Sequence, residues 1–384
     1  RRFENKNKPN NICQNHLNKT NLKERLYHID LLRFIAAIYV LIHHYGFRGH
    51  IKDDLSIISF PEIESMSKYG YLGVDLFFMI SGFVILLTAL KSNLIDFCIS
   101  RISRLYPAYW VCVIITSIVI IFYGGERYSV TAEQILINLT MLNGFLGIKN
   151  VDGVYWSLLV ELKFYFIVGF ILFFNGAKHI KTLAPALLTI PILQLILPFS
   201  EAPMALKILY YFTFPEWISY FIAGMFFFMM KSEKQFIRNI VPLIICYAIS
   251  LKYAFIKGAQ QSEYYGVEFS NWTIAILITL FYAFMLLLSL EKLNFLNQKS
   301  FLALGVLTYP LYLIHQFIGY IIFNNLNNVT NKWLLLLIVT SLMLVSSYVI
   351  NKLFEKPLGK YLRKSLTESP LIIRLKSKLS FTWN

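Results

Sequence analysis

Charged side chains are scarce in this sequence. They make up 15% of the 384 residues, whereas apolar residues make up 57%. A soluble domain has about a quarter charged residues, so this composition excludes an ordinary soluble globule and indicates a membrane protein. The formal net charge of +15 lies in the terminal segments and in alternate loops, without a basic stripe interleaved with exposed aromatic residues. We therefore expect no nucleic acid among the partners.

Closely spaced cysteines and the common catalytic motifs are also lacking. Cys13, Cys98, Cys112 and Cys246 stand far apart without a CxxC spacing, which argues against a disulfide framework and against a thiolate metal site. The sequence contains no HExxH, GxSxG or Walker motif. The sequence therefore gives no support for a zinc peptidase, a serine hydrolase or a P-loop nucleotide hydrolase. We also expect no metal cofactor.

Long apolar runs are abundant instead. Each has about the length that crosses a bilayer, roughly 20 residues. The predicted spans are 27–46, 70–90, 104–123, 155–175, 182–199, 208–230, 238–256, 271–290, 301–323 and 333–353. The fold class that follows is all-α, a polytopic membrane helix bundle of about ten transmembrane helices.

The charges of the connecting segments predict the orientation of the bundle. Lys and Arg collect at both ends of the chain and in every second loop, whereas the intervening loops carry Asp and Glu. Basic segments stay in the cytoplasm, so both termini are predicted to be cytoplasmic. We divide the chain into a basic tail over 1–26, a transmembrane domain over 27–357 and a basic amphipathic tail over 358–384 that lies on the lipid bilayer.

The first apolar span carries an arginine and two histidines. Arg33 and His44 are eleven residues apart, which returns them to one helical face, roughly 20° off and about 16 Å along the axis, whereas His43 points roughly 80° away. Ionisable groups in a span usually face a bundle interior or a wet cavity. One interpretation is a paired site, with a cation that holds a ligand and an imidazole that moves a proton. The other is an interfacial pair in which Arg33 snorkels to the membrane surface.

Two carboxylates lie in apolar surroundings. Asp75 and Ser81 are the polar positions of the run GYLGVDLFFMISGF, whose glycines favour close helix packing, and Glu161 lies in DGVYWSLLVELKFY. A carboxylate in such a place needs a partner. Asp75 is a candidate to orient a catalytic imidazole. The best partners of Glu161 are Arg33, Lys163 or a histidine, and the alternative is a purely structural ion pair.

Arg101 and Arg104 lie three residues apart in RISRLYP, hence on one helical face, where a cytoplasmic loop is predicted to re-enter the membrane. The planar guanidinium group suits phosphate, so this pair would be the first to meet a phosphate-rich cytosolic ligand. The alternative is an ordinary anchor on the basic side of the membrane. Further along, GVLTYPLYLIHQF places Tyr312 and His315 one turn apart. A lone histidine there is more often a hydrogen-bonded core residue than a catalyst.

The order of these motifs resembles that of acyltransferase family 3, the membrane proteins that O-acylate polysaccharides, lipopolysaccharide and other extracytoplasmic acceptors. The resemblance runs from about Tyr27 to Pro357 and rests on Arg33-x10-His44, GVDLFFMISGF, RISRLYP, YWSLLVELKFY, LTYPLYLIH and FEKP. It implies an acyl-CoA donor, commonly acetyl-CoA, and a saccharide or glycolipid acceptor on the other side of the lipid bilayer. It also implies a bacterial-type cytoplasmic (inner) membrane as the location.

The resemblance carries site residues with it. The arginine and the histidine of the family's first helix fall on Arg33 and His44, its RxxR pair on Arg101 and Arg104, and its WSLxxE carboxylate on Glu161. The arginines are then expected to hold coenzyme A, and the histidine is expected to remove the proton from an acceptor hydroxyl as it attacks the thioester carbonyl. The alternative route is an acyl-histidine intermediate, and the sequence does not separate the two.

The remaining predicted site residues support that base or contact substrate. Glu161 or Asp75 is expected to set the tautomer of the imidazole. Predicted substrate contacts are Ser81, Trp156, Tyr309 and His315. Two alternatives use the same residues differently: a transporter or flippase of a glycolipid or acyl donor without transferase chemistry, and a non-catalytic scaffold.

Overall fold

The computed structural model describes residues 25–174, 179–328 and 331–381, and within these ranges the chain is helical almost throughout, with no strand. The helices of the first half are α1 (Tyr27–His43), α2 (Gly49–Ile51), α3 (Pro61–Ser67), α4 (Gly73–Ala89), α5 (Leu94–Tyr123), α6 (Ala132–Asn138) and α7 (Trp156–Phe173). Those that follow are α8 (Ile180–Leu187), α9 (Thr189–Ile196), α10 (Met204–Thr213), α11 (Pro215–Glu233), α12 (Phe236–Tyr265), α13 (Asn271–Ser289), α14 (Leu302–Leu326), α15 (Lys332–Ile350), α16 (Lys356–Glu368) and α17 (Pro370–Phe381).

The helices confirm an all-α polytopic bundle. In the described ranges, eight helical segments are long and apolar enough to cross a membrane, or up to nine if the bent pair α10 and α11 is one span. The span predicted at 182–199 appears as a shorter apolar stretch, Thr182–Ile196, which is divided between α8 and α9. Pro191 stands early in α9. It has no N–H, so it cannot continue the hydrogen-bond ladder of α8.

Helices α4 and α11 cross in the buried centre of the bundle with their backbones in contact. A Cβ added at Gly82 of α4 would overlap the carbonyl oxygen of Phe221, and one added at Gly224 of α11 would overlap that of Met79. Gly70, just before α4, approaches α1 in the same way. The packing role predicted for the glycines of the second span is confirmed, because only residues without a side chain allow this approach.

The bent span formed by α10 and α11 is stabilised by Lys163, which the sequence analysis had considered as a partner of Glu161. The axis bends by 45° between α10 and α11, where Phe214 has a left-handed φ of 40° and Pro215 begins α11. A helix that ends inside a bundle leaves carbonyl groups without partners. Lys163 of α7 donates from Nζ to the carbonyl oxygen of Tyr211 at 2.6 Å. Lys163 therefore caps α10, and the prediction that it could pair with Glu161 is wrong.

Two π-helical turns interrupt the helical path, His44–Arg48 after α1 and Asn351–Glu355 after α15. Turns of this kind are rare and occur frequently at functional sites. The first begins at the predicted base. The second ends at Glu355, and α16 and α17 follow it, with Lys376 of α17 tied to Asp96 at the start of α5 by a 2.5 Å ion pair.

The variant Gly224→Ala should destabilise the bundle, because its Cβ overlaps a backbone oxygen of α4 that no side-chain movement can displace. We expect a loss of about 1–3 kcal/mol in the free energy of unfolding, measured as a lower midpoint of thermal unfolding in detergent. The control is Gly169→Ala, whose Cβ would meet only Leu94 Cδ1 at 3.5 Å. Equal midpoints for the two variants would contradict the backbone contact.

Candidate active site

A cavity of about 280 Å³ lies where α1 ends, and we call it the histidine cavity. Its walls come from α1, α4, α7, α11, α12 and α14 and combine aromatic rings with charged groups. The residues that matter most below are His43, His44, Asp75, Trp156, Trp217 and Lys257. Ionisable groups that face a cavity inside a membrane bundle mark functional sites by default.

The hydrogen bonds of His44 determine which ring nitrogen is free. Its Nδ1 lies 2.8 Å from the carbonyl oxygen of Val40 and 3.4 Å from Nε2 of His315. Nδ1 of His315 in turn faces the carbonyl of Tyr312 at 2.9 Å, so it carries the proton and leaves Nε2 as an acceptor. Two acceptors therefore hold the His44 proton on Nδ1, and the Nε2 lone pair of His44 is free to take up a proton.

Neither carboxylate that was predicted to assist this imidazole contacts it. Oε1 of Glu161 accepts hydrogen bonds from Ser81 Oγ at 2.6 Å and from the Tyr165 hydroxyl at 2.7 Å. Asp75 faces the hydroxyl of Tyr220. The prediction that a carboxylate sets the tautomer of His44 is therefore wrong. Of the partners predicted for Glu161, Arg33 is supported, because the two charges attract each other, whereas the described residues show no hydrogen bond from Glu161 to Lys163 or to a histidine. Neither carboxylate reaches the imidazole of His44. Glu161 lies near Arg33, towards the N-terminal end of α1, and Asp75 is turned towards Tyr220 of α11.

His43 faces the same cavity as its neighbour. The two imidazole rings lie edge to face, with centroids 5.3 Å apart, although their helical phases differ by about 100°. Nδ1 of His43 lies 3.1 Å from the carbonyl oxygen of Ser67, which fixes its ring against the turn before α4. What distinguishes His44 is its contact with a third histidine on α14.

The rim of the histidine cavity contains an arginine that is already paired. Nη2 of Arg48 lies 2.6 Å from Oδ2 of Asp53, and the Tyr264 hydroxyl donates to the same oxygen at 2.5 Å. Burial acts to raise the pKa of Asp53, but these hydrogen bonds outweigh it and hold the pKa of this carboxyl below its usual value. The carboxylate therefore stays ionised at neutral pH and keeps Arg48 at the rim.

A second cavity, of about 110 Å³, lies towards the N-terminal end of α1, and we call it the arginine cavity because Arg33, Arg101 and Arg104 line it. Arg104 forms an ion pair with Glu355 of the second π-helical turn, and the other oxygen of Glu355 accepts from Asn351 Nδ2 at 2.8 Å. The buried Nε of Arg101 has no hydrogen-bond partner in the described part of the chain. Glu161 is the carboxylate that lines this cavity with the three arginines, so the cavity carries an excess of positive charge that fits an anionic ligand such as phosphate.

The two cavities share one wall. Val74 and Tyr312 line both of them. The hydroxyl of Tyr312 lies 2.7 Å from Oγ of Ser157, which lines the arginine cavity, and 3.2 Å from the carbonyl oxygen of Val154, which lines the histidine cavity. The interior path from the guanidinium groups to the imidazole of His44 therefore passes this tyrosine.

The four predicted substrate contacts are distributed over the site. Ser81 and Tyr309 line the arginine cavity. Trp156 lines the histidine cavity, where its ring centroid lies 5.2 Å from that of Trp217. His315 is fully buried and lines neither of the two cavities. The structure thus brings the first three to cavities and makes the fourth the hydrogen-bond partner of the predicted base.

Several groups at the site escaped the sequence analysis. Trp217 follows Pro215-Glu216 at the start of an apolar span, and Lys257 is a charge within the apolar α12. The signal of Lys257 was visible, because an ionisable residue inside a span indicates a functional position. The pairing of Glu355 with Arg104 had no such signal, since 251 positions of the chain separate the two.

The fold and the site define a membrane-embedded enzyme. The family profile described as "Acyltransferase domain" matches residues 26–352, so the chain belongs to the acyltransferase 3 family. The resemblance drawn from the motifs is confirmed, and the class of enzyme is an acyltransferase.

Three relatives are similar to part of this chain. Nodulation protein 10 of Rhizobium leguminosarum bv. viciae is 28% identical over 37% of this chain and 43% of its own length. Peptidoglycan O-acetyltransferase OatA of Listeria monocytogenes is 29% identical over 40% of this chain and 26% of its own length. The O-acetyl transferase of Shigella phage Sf6 is 28% identical over 64% of this chain and 75% of its own length. The chain thus spans less than half of the first two relatives, and no solved structure matches it significantly.

His315→Ala should slow acyl transfer, because it leaves the Nδ1 proton of His44 with the Val40 carbonyl as its single acceptor. We expect kcat to fall about 10-fold or more, the value of one hydrogen bond to a group that becomes charged. His315→Gln, whose side-chain oxygen can accept the same proton, should recover most of that loss. Equal kcat values for the alanine and glutamine variants would contradict the assignment.

Proposed function

We propose that the protein is an integral-membrane O-acyltransferase that moves an acyl group, most simply acetyl, from acyl-CoA to a hydroxyl of an extracytoplasmic saccharide or glycolipid. The observation that supports this proposal is that the arginine cavity, which suits phosphate, and the histidine cavity, which holds a base, lie next to each other and share one wall. Two of the relatives support the acetyl group by name, and one of these names peptidoglycan as its acceptor.

The arginine cavity is the proposed donor site. The basic loops put the N-terminal end of α1 in the cytoplasm, where acyl-CoA is found. A volume of about 110 Å³ is too small for the nucleotide of coenzyme A, which we therefore place at the mouth. The side chain of Arg104 is 42% exposed there and can meet the phosphates, with Arg101 beside it and Arg33 deeper along the arm.

The histidine cavity is the proposed acceptor site. Trp156 and Trp217 offer two indole faces against which a sugar ring can stack, and Glu216, Lys257 and Gln261 offer partners for its hydroxyl groups. A pocket with apolar rings and a few placed polar groups is the usual form of a small-molecule site. One hydroxyl of the acceptor then lies within reach of the imidazole.

The chemistry follows from the free Nε2 of His44. This nitrogen takes the proton of the acceptor hydroxyl while the hydroxyl oxygen attacks the thioester carbonyl carbon. The tetrahedral intermediate collapses with cleavage of the carbon–sulfur bond, and the imidazolium returns the proton to the leaving sulfur. General-base help of this kind contributes about 10²–10⁴-fold to the rate. Direct transfer without covalent attachment to the enzyme needs a single base, and His44 supplies it.

The first test measures release of free coenzyme A from acetyl-CoA by the purified protein in liposomes, with crude envelope glycan as the acceptor. Wild type should release coenzyme A only when acceptor is present, and His44→Ala should reduce the rate by about 10²-fold or more. The matched control is His50→Ala, because His50 is an exposed histidine that lines neither cavity. Movement of glycolipid without any release, from folded protein, would favour a flippase instead.

The second test separates the phosphate contacts from the thioester. Arg101→Ala should raise the KM for acetyl-CoA about 10-fold, since a hydrogen bond to a charged group is worth about 1.5–3 kcal/mol. With acetyl-pantetheine, which lacks the nucleotide phosphates, wild type and Arg101→Ala should have the same KM. Arg238→Ala, which removes a surface arginine paired with Glu233, is the control. An equal effect of Arg101→Ala on both donors would rule out a phosphate contact.

A further inference from the structure

We propose that Tyr312 is a catalytic residue whose hydroxyl donates a hydrogen bond to the oxyanion formed at the thioester carbonyl. This inference rests on the acyl transfer proposed above and adds to it a group that stabilises the transition state. The mechanism so far supplies a base for the attacking hydroxyl but nothing for the negative charge that develops on the carbonyl oxygen, which is usually the largest single contribution to catalysis.

The position of the hydroxyl carries the argument. The donor enters through the arginine cavity and the base stands in the histidine cavity, so the reacting carbonyl must come to the wall between them. Of the two residues that line both cavities, Val74 is apolar and Tyr312 has the one polar side chain. Its hydroxyl lies between Ser157 on one side, at 2.7 Å, and the Val154 carbonyl on the other, at 3.2 Å.

The hydroxyl of Tyr312 can donate a hydrogen bond to a ligand without any movement of the ring. The ring packs edge to face on Phe77, with centroids 5.7 Å apart, and Tyr312 is 7% exposed, so its position is fixed. Oγ of Ser157 can donate to the Tyr312 oxygen, which leaves the phenolic proton directed at the more distant Val154 carbonyl or at a ligand. A charged oxyanion is a stronger acceptor than a neutral carbonyl, so rotation about the C–O bond is sufficient.

The proton balance of the reaction is unchanged by this assignment. The acceptor proton goes to Nε2 of His44, the new carbon–oxygen bond forms, and the carbonyl oxygen becomes an oxyanion that accepts a hydrogen bond from Tyr312. The carbon–sulfur bond then breaks, the carbonyl re-forms, and the imidazolium proton goes to the sulfur. Tyr312 keeps its own proton throughout, and the products are the acetyl ester and free coenzyme A.

The neighbours of Tyr312 fit the same role. His315 stands one helical turn further along α14, with ring centroids 5.9 Å apart, and its Nε2 faces Nδ1 of His44. One turn of α14 therefore positions both the group that orients the base and the proposed oxyanion donor. The two sides of the reaction are placed by the same rigid element, as preorganised catalysis requires.

The test compares Tyr312→Phe with a matched variant in the acyl-transfer assay. The control is Tyr282→Phe, because Tyr282 is 8% exposed, its hydroxyl lies 2.8 Å from Oγ of Ser250 on a neighbouring helix, and it lines neither cavity. Both variants lose one buried tyrosine–serine hydrogen bond. We expect kcat to fall about 10²–10³-fold in Tyr312→Phe, with the KM for acetyl-CoA unchanged, and to stay near wild type in Tyr282→Phe.

Binding of the unreactive analogue S-acetonyl-CoA and the midpoint of thermal unfolding report whether each variant keeps its site. Analogue affinity unchanged in Tyr312→Phe, together with the loss of kcat, supports the proposal. It is overturned if Tyr312→Phe retains more than about half of the wild-type kcat, or if analogue binding is lost with activity, since the tyrosine would then act in packing. An inactive wild type would instead reject the proposed function itself.

Discussion

An ionisable side chain inside an apolar helix bundle is stable only if it is paired or faces a cavity, and this constraint accounts for most of the interior of the protein. Lys163 satisfies it by capping the broken end of α10. Arg104 satisfies it with Glu355, which a π-helical turn holds in place. Arg33, Arg101 and His44 satisfy it by facing cavities. The cavities therefore lie where the charges of the bundle need them, and a ligand that enters meets those charges.

Helix α14 connects these features. Tyr312 forms part of the wall between the cavities, and one turn later His315 meets the imidazole of His44. The carbonyl of His315 accepts a hydrogen bond from the Tyr45 hydroxyl at 2.6 Å, and the amide of Phe317 donates to Asp152 at 3.0 Å. These bonds tie α14 to the end of α1 and to the turn before α7. The helix can therefore hold ring groups at both cavities in fixed positions.

The spans and the close-packed glycines could be predicted, because each depends on local composition. Gly82 and Gly224 mark the crossing of α4 and α11 whatever else the chain does. The partners of the carboxylates could not be predicted. Helical phase fixes the face of Glu161 but not its depth against α4, where the hydroxyl of Ser81 donates to it. Helical phase also predicted that His43 and His44 face different surroundings, although both rings line the same cavity of about 280 Å³.

The sequence by itself determined the class of fold, the membrane location and the family, since apolar runs of spanning length and ordered motifs depend on residues that are near each other in the chain. Only the tertiary structure decided which of those residues act together. The contact between His44 and His315 joins positions 271 apart, and that between Arg104 and Glu355 joins positions 251 apart. Contacts at such separations follow from how whole helices pack, which is set by the summed fit of many side chains and by no local pattern.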